Sequence, residues 1–422
     1  MSALPYLHNQ SPVLGERLFQ ADAELLSPQA TDRVERVLEV RQQNVPTPLH
    51  SLSAQAAELG IGALHVKDEG QRLGLGSFKA LGGAYALMIL VLEEASRRLG
   101  RAVEIDELFS PEIRGVASTM TFACATDGNH GRSVAQGAGL VGAKAVIFMH
   151  EGVSQGRVDA IAGLGAEGVR VAGGYDRSVR EAADVAAREG WTVLADTSWQ
   201  GYERIPGLVS QGYTLIVREV LSELAEPPTH VFLQAGVGGF AAGVAGHLAL
   251  VLGADKPHVT IVEPARAACV YESARVGRPV RVDDSQPTVM AMLECHEPSP
   301  VALRVLDRVA NGYMTLEEAA APGAMRRLAN PLSGDPPVAA GESGGVGFAG
   351  LLEVMRDPEM AAGIGLGPNA RVLVIITEGA TDPGLYRKLV GMDPELVRDQ
   401  PGPTSPQGTT RAATRPGRQG GR

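Results

Sequence analysis

The sequence is poor in cysteine and in aromatic residues. Three cysteines, Cys124, Cys269 and Cys295, occur among 422 residues, and none forms a Cys-x-x-Cys pair. Disulfide-stapled domains and cysteine-ligated metal sites need more cysteines at closer spacing, so both classes are excluded and we expect thiols. Aromatic residues make up 4% of the chain, which is low for an aromatic-rich β-sandwich.

Long apolar runs and an excess of positive charge are also missing. No segment approaches the roughly 18 apolar residues of a membrane-spanning helix. Residues 1–10 have neither the basic start nor the apolar stretch of a signal peptide. The net charge of −10 argues against nucleic acid or an anionic membrane as the main partner. We therefore expect a cytoplasmic protein that acts on a small molecule.

Glycine, in contrast, is abundant, with 52 residues, and short apolar segments alternate with helical patterns. The predicted strands cover residues 143–149, 168–172, 192–195, 229–235, 259–263 and 371–378. Helical periodicity between such strands is typical of βαβ units. The sequence thus predicts the α/β class, with two domains that each contain an open, mainly parallel sheet flanked by helices.

The order of these segments also predicts the domain boundaries. We expect a smaller domain at residues 84–208 and a larger, cofactor-binding domain made of residues 1–83 and 209–398. Residues 399–422 are rich in Pro, Gly, Thr and Arg and have almost no large apolar side chain. Such a segment cannot bury enough surface to fold, which predicts a disordered tail, with a basic interaction arm as the alternative.

One glycine-rich segment, Q-A-G-V-G-G-F-A-A-G at residues 234–243, lies between a predicted strand and a predicted helix and is called the glycine loop below. Glycines at this place let backbone N–H groups converge on an anion. The segment lacks the Lys-Ser/Thr of a nucleotide-binding loop, and the one acidic residue near the ribose-binding position, Glu263, ends a strand. It predicts a phosphate seat without a nucleotide, and a plain tight turn is the alternative.

Two other segments place polar side chains among glycines. In G-L-G-S-F-K-A-L-G-G-A-Y-A, residues 74–86, Lys79 opens a run of small and apolar residues. Such an amine can form a Schiff base, although a lysine on a wet helix face is the simpler interpretation. In A-T-D-G-N-H-G-R-S-V-A, residues 125–135, Asp127, Asn129 and His130 are predicted in a turn between strand and helix, where parallel sheets bind ligands unless the turn is purely structural.

A Schiff-base amine, an anion seat and a hydrogen-bonding amide are the groups that a pyridoxal phosphate site requires. The motifs resemble those of fold-type II pyridoxal-phosphate enzymes, and among them those of diaminopropionate ammonia-lyases. The resemblance runs from about residue 49 to residue 389 and also rests on A-D-T-S-W-Q-G-Y-E-R-I-P, G-E-S-G-G-V-G and I-I-T-E-G-A-T-D. The segment at residues 125–135 is called the Asn turn below. Its aspartate, Asp127, and the D-T-S-W and T-E-G-x-T-D segments separate this family from threonine dehydratases.

The resemblance implies a pyridoxal 5′-phosphate site built from matching residues. Lys79 is expected to hold the cofactor as a Schiff base, Asn129 to bond the ring O3′, and Thr377 to face the pyridine nitrogen. A hydroxyl at that nitrogen does not keep it protonated, which suits β-elimination. The remaining cofactor contacts are expected from Phe78, Gly236, Val237, Gly238, Gly239 and Phe240.

The implied reaction is α,β-elimination from 2,3-diaminopropionate, which yields pyruvate and ammonia. Family enzymes can accept both enantiomers, so that bases are needed on two faces of the substrate. Lys79 is expected to serve one face and Asp127 the other, while Asp196 binds the distal amine or assists its departure. The resemblance further implies a homodimer, and no metal is expected.

Some positions depart from the family pattern. M-L-E-C-H-E-P-S-P has His296 where the family has glycine, and the lysine motif has Gly76 and Ser77 before Phe78 where a slightly different pair is expected. Because His296 is bulkier than glycine and titratable, the exact substrate is less well defined by the motifs than the class of reaction. Glu342 of G-E-S-G-G-V-G is expected either in a structural role or at the edge of the cofactor.

Two alternative functions follow from the same motifs. A threonine or serine dehydratase, or another β-eliminating or β-replacing enzyme, keeps the fold and the cofactor. Asp127 and Asp196 favour the lyase, because a hydroxyl leaving group needs no carboxylate to recognise a second ammonium. A non-catalytic relative is the third reading, and the intact Lys79, Asn129 and glycine loop argue against it.

Overall fold

The computed structural model describes residues 5–126 and 128–399, except for the side chains of Tyr175 and Asp176. Asp127, the predicted second base, lies outside the described residues. So does the predicted tail beyond its first residue, Asp399.

The strands form two sheets. In the described part of the chain they are β1 (Tyr6–His8), β2 (Leu49–Ser51), β3 (Ala63–Asp68), β4 (Thr121–Ala125), β5 (Lys144–His150), β6 (Glu167–Val171), β7 (Thr192–Val193), β8 (His230–Gln234), β9 (His258–Pro264), β10 (Gly312–Leu316) and β11 (Arg371–Ile376). The larger sheet has the order β1-β10-β9-β8-β11-β3-β2, in which the inner strands are parallel and the edge strands β1 and β2 pair antiparallel. The smaller sheet, β6-β5-β4-β7, is parallel. The predicted fold class is confirmed.

Helices surround both sheets. Over the described residues they are α1 (Gln20–Leu25), α2 (Pro28–Val40), α3 (Ser53–Leu59), α4 (Lys79–Leu99), α5 (Pro111–Ala117), α6 (Asn129–Val141), α7 (Gln155–Ala162), α8 (Tyr175–Glu189), α9 (Arg204–Glu223), α10 (Gly239–Leu252), α11 (Cys269–Val276), α12 (Pro300–Val309), α13 (Ala320–Ala329), α14 (Val346–Met355), α15 (Pro358–Gly363), α16 (Pro383–Val390) and α17 (Pro394–Arg398). None of these has the length and apolar character of a membrane span.

Helix α4 explains the small residues that follow Lys79. A Cβ atom at Gly82 would lie 2.7 Å from the Tyr213 ring of α9, and one at Gly83 would lie 2.9 Å from Ser133 Oγ of α6. Because these atoms are missing, α4 packs directly against both helices, and its residues 80–89 are buried. Lys79 is the first residue of this buried helix, so its amine lies at the end of the helix and not on a solvent-exposed face.

Three of the sequence motifs follow the carboxyl ends of parallel strands. The glycine loop follows β8, the Asn turn follows β4, and Thr377 follows β11. The sequence predicted β11 two residues too long, because the backbone N–H of Thr377 leaves the sheet and donates to Gly344 O at 3.2 Å. This edge of an open parallel sheet is where ligands bind in α/β proteins.

Candidate active site

The structure places Lys79 beside Asp196. The Nζ atom of Lys79 donates to Asp196 Oδ2, and the two side chains remain 26% and 20% exposed. A reactive amine must be reachable by a ligand, and this exposure leaves it so. The residues are 117 positions apart in sequence, and each lies in a different motif of the predicted site.

Asp196 stays ionised although it is surrounded by protein. Burial alone would raise the pKa of its carboxyl, but the charge of Lys79 and its hydrogen bond to the carboxylate lower that pKa below its usual value. His130 Nδ1 lies 3.9 Å from Asp196 Oδ2, and its Nε2 bonds Leu194 O at 2.9 Å. Burial lowers the pKa of His130, which favours the neutral ring.

The glycine loop forms a backbone cradle at the start of α10. Gly238 has φ of +95°, a conformation that favours glycine, and a Cβ atom there would lie 3.0 Å from Ala302. A Cβ at Gly236 would lie 2.9 Å from Cys295 Sγ, and one at Gly239 would lie 3.4 Å from Asp196 O. The glycines thus let the loop pack closely against its neighbours at the N-terminus of α10, a position that favours an anion.

Neighbouring side chains tie this loop to the rest of the site. The ring of Phe240 lies 4.5 Å from that of Phe78, the residue before the lysine. Ser299 N donates to Val237 O at 2.9 Å, and the Ser299 hydroxyl lies 2.6 Å from that of Ser198. Ser198 is two residues from Asp196, so one short chain of bonds connects the glycine loop to the Asp196 segment.

Asn129, the first residue of α6, faces the segment after β11. Its Nδ2 donates to Glu378 Oε2 at 2.7 Å. Glu378 is buried and lies near Glu342, and burial together with that second carboxyl raises the pKa of Glu378 to about 8. Glu342 also has a raised pKa because it is buried. The two carboxyls therefore hold at least one proton near neutral pH.

Thr377 is the remaining predicted cofactor residue. Its side-chain hydroxyl accepts a hydrogen bond of 2.7 Å from Gln234 Nε2, at the end of β8. Its backbone carbonyl accepts from Phe78 N at 2.9 Å, which links β11 to the lysine motif. The structure thus brings Lys79 and Asp196 into contact and joins the lysine, glycine and T-E-G motifs through bonded neighbours.

The departures from the family pattern lie at the border of the site. Met292, in the segment that contains His296, donates its backbone N–H to Ser343 Oγ at 3.0 Å, and its sulfur lies 4.0 Å from a Cβ built at Gly128. Cys295 contacts the glycine loop at Gly236, as described above. All three cysteines are thiols. His296 is thus next to residues that border both the Asn turn and the glycine loop.

Sequence reasoning assigned no role to several polar residues of the site. These are His130, Ser198, Gln234, Ser299 and Glu378. Gln234 begins the glycine-rich segment and Glu378 follows Thr377 in I-I-T-E-G-A-T-D. Their positions in these motifs could have indicated that they belong to the site. Ser198 and Ser299 gave none, because their contact joins segments 101 residues apart. Within residues 5–126 and 128–399, no group of three or more His, Cys, Asp or Glu side chains is arranged for a metal ion.

A family profile described as pyridoxal-phosphate dependent enzyme matches residues 40–378. The chain belongs to this family. A curated relative, diaminopropionate ammonia-lyase of Escherichia coli K12, is 41% identical over 352 residues, which are 82% of this chain and 87% of the relative. The resemblance drawn from the motifs is therefore confirmed, and the family's cofactor is pyridoxal phosphate.

Two solved structures of the E. coli enzyme are also similar. One is its complex with an aminoacrylate-PLP azomethine reaction intermediate, with a TM-score of 0.82, 37% identity, and coverage of 92% of this chain and 97% of that one. The other is its complex with D-serine, with a TM-score of 0.82, 38% identity, and coverage of 92% and 96%. The pyridoxal-phosphate enzyme fold thus extends over nearly the whole chain.

The residues present fit this cofactor. Several buried polar atoms near the site have no hydrogen-bond partner among the described residues, namely Ser77 Oγ, His130 Nδ1, Glu342 Oε1 and Glu378 Oε1. Buried polar groups are normally paired, so such a cluster indicates a polar ligand. The glycine cradle suits a phosphate, and Lys79 supplies the amine that a pyridoxal aldehyde requires.

The raised pKa of the Glu378 carboxyl predicts how the stability of the folded protein depends on pH. Its folded-state pKa of about 8 lies above the ordinary value of 4.5, so the folded protein binds the extra proton and loses stability as pH rises between these values. Glu378→Gln removes this titration and keeps an acceptor for Asn129. We expect its melting temperature to fall less between pH 5 and pH 8 than that of the wild type, by differential scanning fluorimetry. The exposed Glu359→Gln is the control, and identical pH slopes in all three proteins would contradict the assignment.

Proposed function

We propose that this protein catalyses the pyridoxal-phosphate-dependent α,β-elimination of 2,3-diaminopropionate to pyruvate and ammonia. The observation that carries the proposal is the pairing of Lys79 with Asp196, a carboxylate that binds an alkylammonium group at the mouth of the cofactor site. The identity to diaminopropionate ammonia-lyase supports the same substrate.

The cofactor residues are proposed from the site geometry and the motifs. Lys79 holds the cofactor covalently, Asn129 bonds its ring oxygen, Thr377 faces its ring nitrogen, and Phe78 borders it. The backbone of the loop Gly236, Val237, Gly238, Gly239 and Phe240 seats the phosphate. When bound, pyridoxal phosphate supplies an electron sink for the negative charge that develops at the substrate α-carbon.

Asp196 recognises the second amine of the substrate. In the structure its carboxylate already binds an ammonium, that of Lys79, and its lowered pKa keeps it charged over the neutral range. An ionised acceptor beside a substrate ammonium stabilises that group and orients it for departure. A serine or threonine hydroxyl lacks this charge, so those substrates gain less from Asp196.

An assay of 2-oxo acid formation tests the proposal, because elimination yields pyruvate from 2,3-diaminopropionate and serine and 2-oxobutyrate from threonine. With 2,3-diaminopropionate, serine and threonine supplied separately, we expect kcat/KM for the diamine to exceed the others by at least about tenfold, because a hydrogen bond to a charged partner contributes about 1.5–3 kcal/mol. The same measurement decides the dehydratase alternative: a preference for serine or threonine would overturn the lyase assignment. No 2-oxo acid from any of the three substrates would favour a non-catalytic relative.

Asp127 is proposed as the base for one substrate face. If it removes the α-proton on that face only, Asp127→Asn lowers kcat for one enantiomer by about 10²-fold or more, the usual scale for losing a positioned base, and spares the other. Separate assays on D- and L-2,3-diaminopropionate measure this. Equal losses for both enantiomers would make Asp127 a binding group, and no loss would leave it a turn residue.

We also propose the predicted domain division, residues 1–83 with 209–398 and residues 84–208, with the site between them. The support is that β4 to β7 form one sheet and the other strands form the second. We propose a homodimer from the family resemblance and a cytoplasmic location from the sequence pattern. Sedimentation velocity at micromolar concentration tests the dimer, and a monomer alone would count against it.

A further inference from the structure

Gln234 ends β8 directly before the glycine loop, and it is 2% exposed. Its Nε2 lies 2.7 Å from Gly344 O, 3.0 Å from Ile375 O and 2.7 Å from Thr377 Oγ1. Its Oε1 faces the other way, where a Cβ atom at Gly347 of α14 would approach to 2.9 Å. The carboxamide is therefore enclosed on both sides.

The orientation of this carboxamide follows from its neighbours. Gly344 O and Ile375 O are both carbonyl acceptors, so an amide turned the other way would place oxygen against oxygen. Nε2 must face them. Since an amide nitrogen donates and does not accept, the hydroxyl hydrogen of Thr377 cannot point at Gln234. In the described part of the chain the Thr377 hydroxyl has no other hydrogen-bond partner, so its hydrogen is available for a ligand.

We propose that Gln234 is a positioning residue that makes Thr377 a hydrogen-bond donor toward the pyridine nitrogen of the cofactor and thereby favours elimination over other fates of the substrate. This inference rests on the proposed function, in which Thr377 faces that nitrogen. A nitrogen that accepts a hydrogen bond is unprotonated, and an unprotonated ring stores less negative charge from the α-carbon. The leaving group then departs before a proton returns to the α-carbon.

Removing the amide reverses the direction of the hydroxyl. In Gln234→Met, the carbonyls of Gly344 and Ile375 lose the amide donor. Gly344 O still accepts from Thr377 N, and the Thr377 hydroxyl can donate to Ile375 O in place of the amide. Its lone pair then faces the cofactor and stabilises a protonated nitrogen. Gln234→Glu acts in the same direction, because the hydroxyl of a buried, protonated carboxyl at the position of Nε2 donates to one carbonyl and, unlike an amide nitrogen, can accept from Thr377.

The experiment uses the holoenzyme loaded with ¹⁵N-labelled pyridoxal phosphate. We expect the ¹⁵N resonance of the wild type to be that of an unprotonated ring, and those of Gln234→Met and Gln234→Glu to move upfield toward the protonated form. In deuterated buffer, α-proton exchange relative to pyruvate formation should rise about tenfold, the scale of one net hydrogen bond. In the Thr377→Val background the Gln234 substitutions should change neither readout.

The control is Gln211→Met, another buried glutamine whose Nε2 donates to a backbone carbonyl, Ala30 O at 2.9 Å. It reports the cost of losing a buried amide without a contact to Thr377. An unchanged ¹⁵N resonance and exchange ratio in cofactor-loaded Gln234 variants would overturn the inference and leave the proposed function standing. A wild-type protein that takes up no labelled cofactor at Lys79 would count against the proposed function itself.

Discussion

Lys79→Ala should contain no covalently bound cofactor and should lose turnover by at least about 10³-fold, because the proposed site then lacks the amine that attaches the cofactor. Lys79 is the first residue of a helix whose next ten residues are buried, so the backbone that carries the amine is fixed. Borohydride reduction followed by mass spectrometry measures the attachment, and the pyruvate assay measures turnover.

Two comparisons make the Lys79 result specific. The exposed Lys144→Ala, at the start of β5, should retain both cofactor and activity. Lys79→Arg should keep the positive charge beside Asp196 and still fail, since a guanidinium does not form the required linkage. Stoichiometric covalent cofactor in Lys79→Ala would show that another residue carries it.

Asp196→Asn should lower kcat/KM for 2,3-diaminopropionate by about 30- to 5,000-fold, because removing one partner of a hydrogen-bonded charge pair costs about 2–5 kcal/mol. The substitution removes the carboxylate and keeps the shape of the side chain. The Asn side chain can still accept a hydrogen bond from the distal ammonium of the substrate but carries no negative charge, so the loss measures the contribution of the Asp196 charge.

The matched control for Asp196 is Asp335→Asn, a buried carboxylate that caps helix α3 by accepting from Ala54 N and Gln55 N. It should lose stability by about 0.5–2 kcal/mol, as capping residues do, and keep its kinetic constants. A similar loss of kcat/KM in both variants would mean that Asp196 acts only through stability. Retained activity in Asp196→Asn would remove it from the mechanism.

The sequence predicted the fold class because strand and helix periodicities are local. The six predicted strands all occur, and the error in β11 arose where Thr377 turns away to bond Gly344, a partner with no local signature. Lys79, Asn129 and the glycine loop were found because turn chemistry and glycine placement are readable in short windows. The Asn129–Glu378 bond was not predictable in that way, since it joins residues 249 positions apart.

The position of β11 determines when the larger sheet can be completed during synthesis. In the smaller sheet, β4 to β7 come from one continuous stretch of residues 121–193, so its strands can pair soon after synthesis. In the larger sheet, β11 lies between β8 and β3. Strand β3, at residues 63–68, therefore has no parallel neighbour until residues 371–376 have been synthesised. During translation, one side of β3 stays an unpaired edge that other chains can reach, which makes chaperone protection most valuable before the last strand emerges.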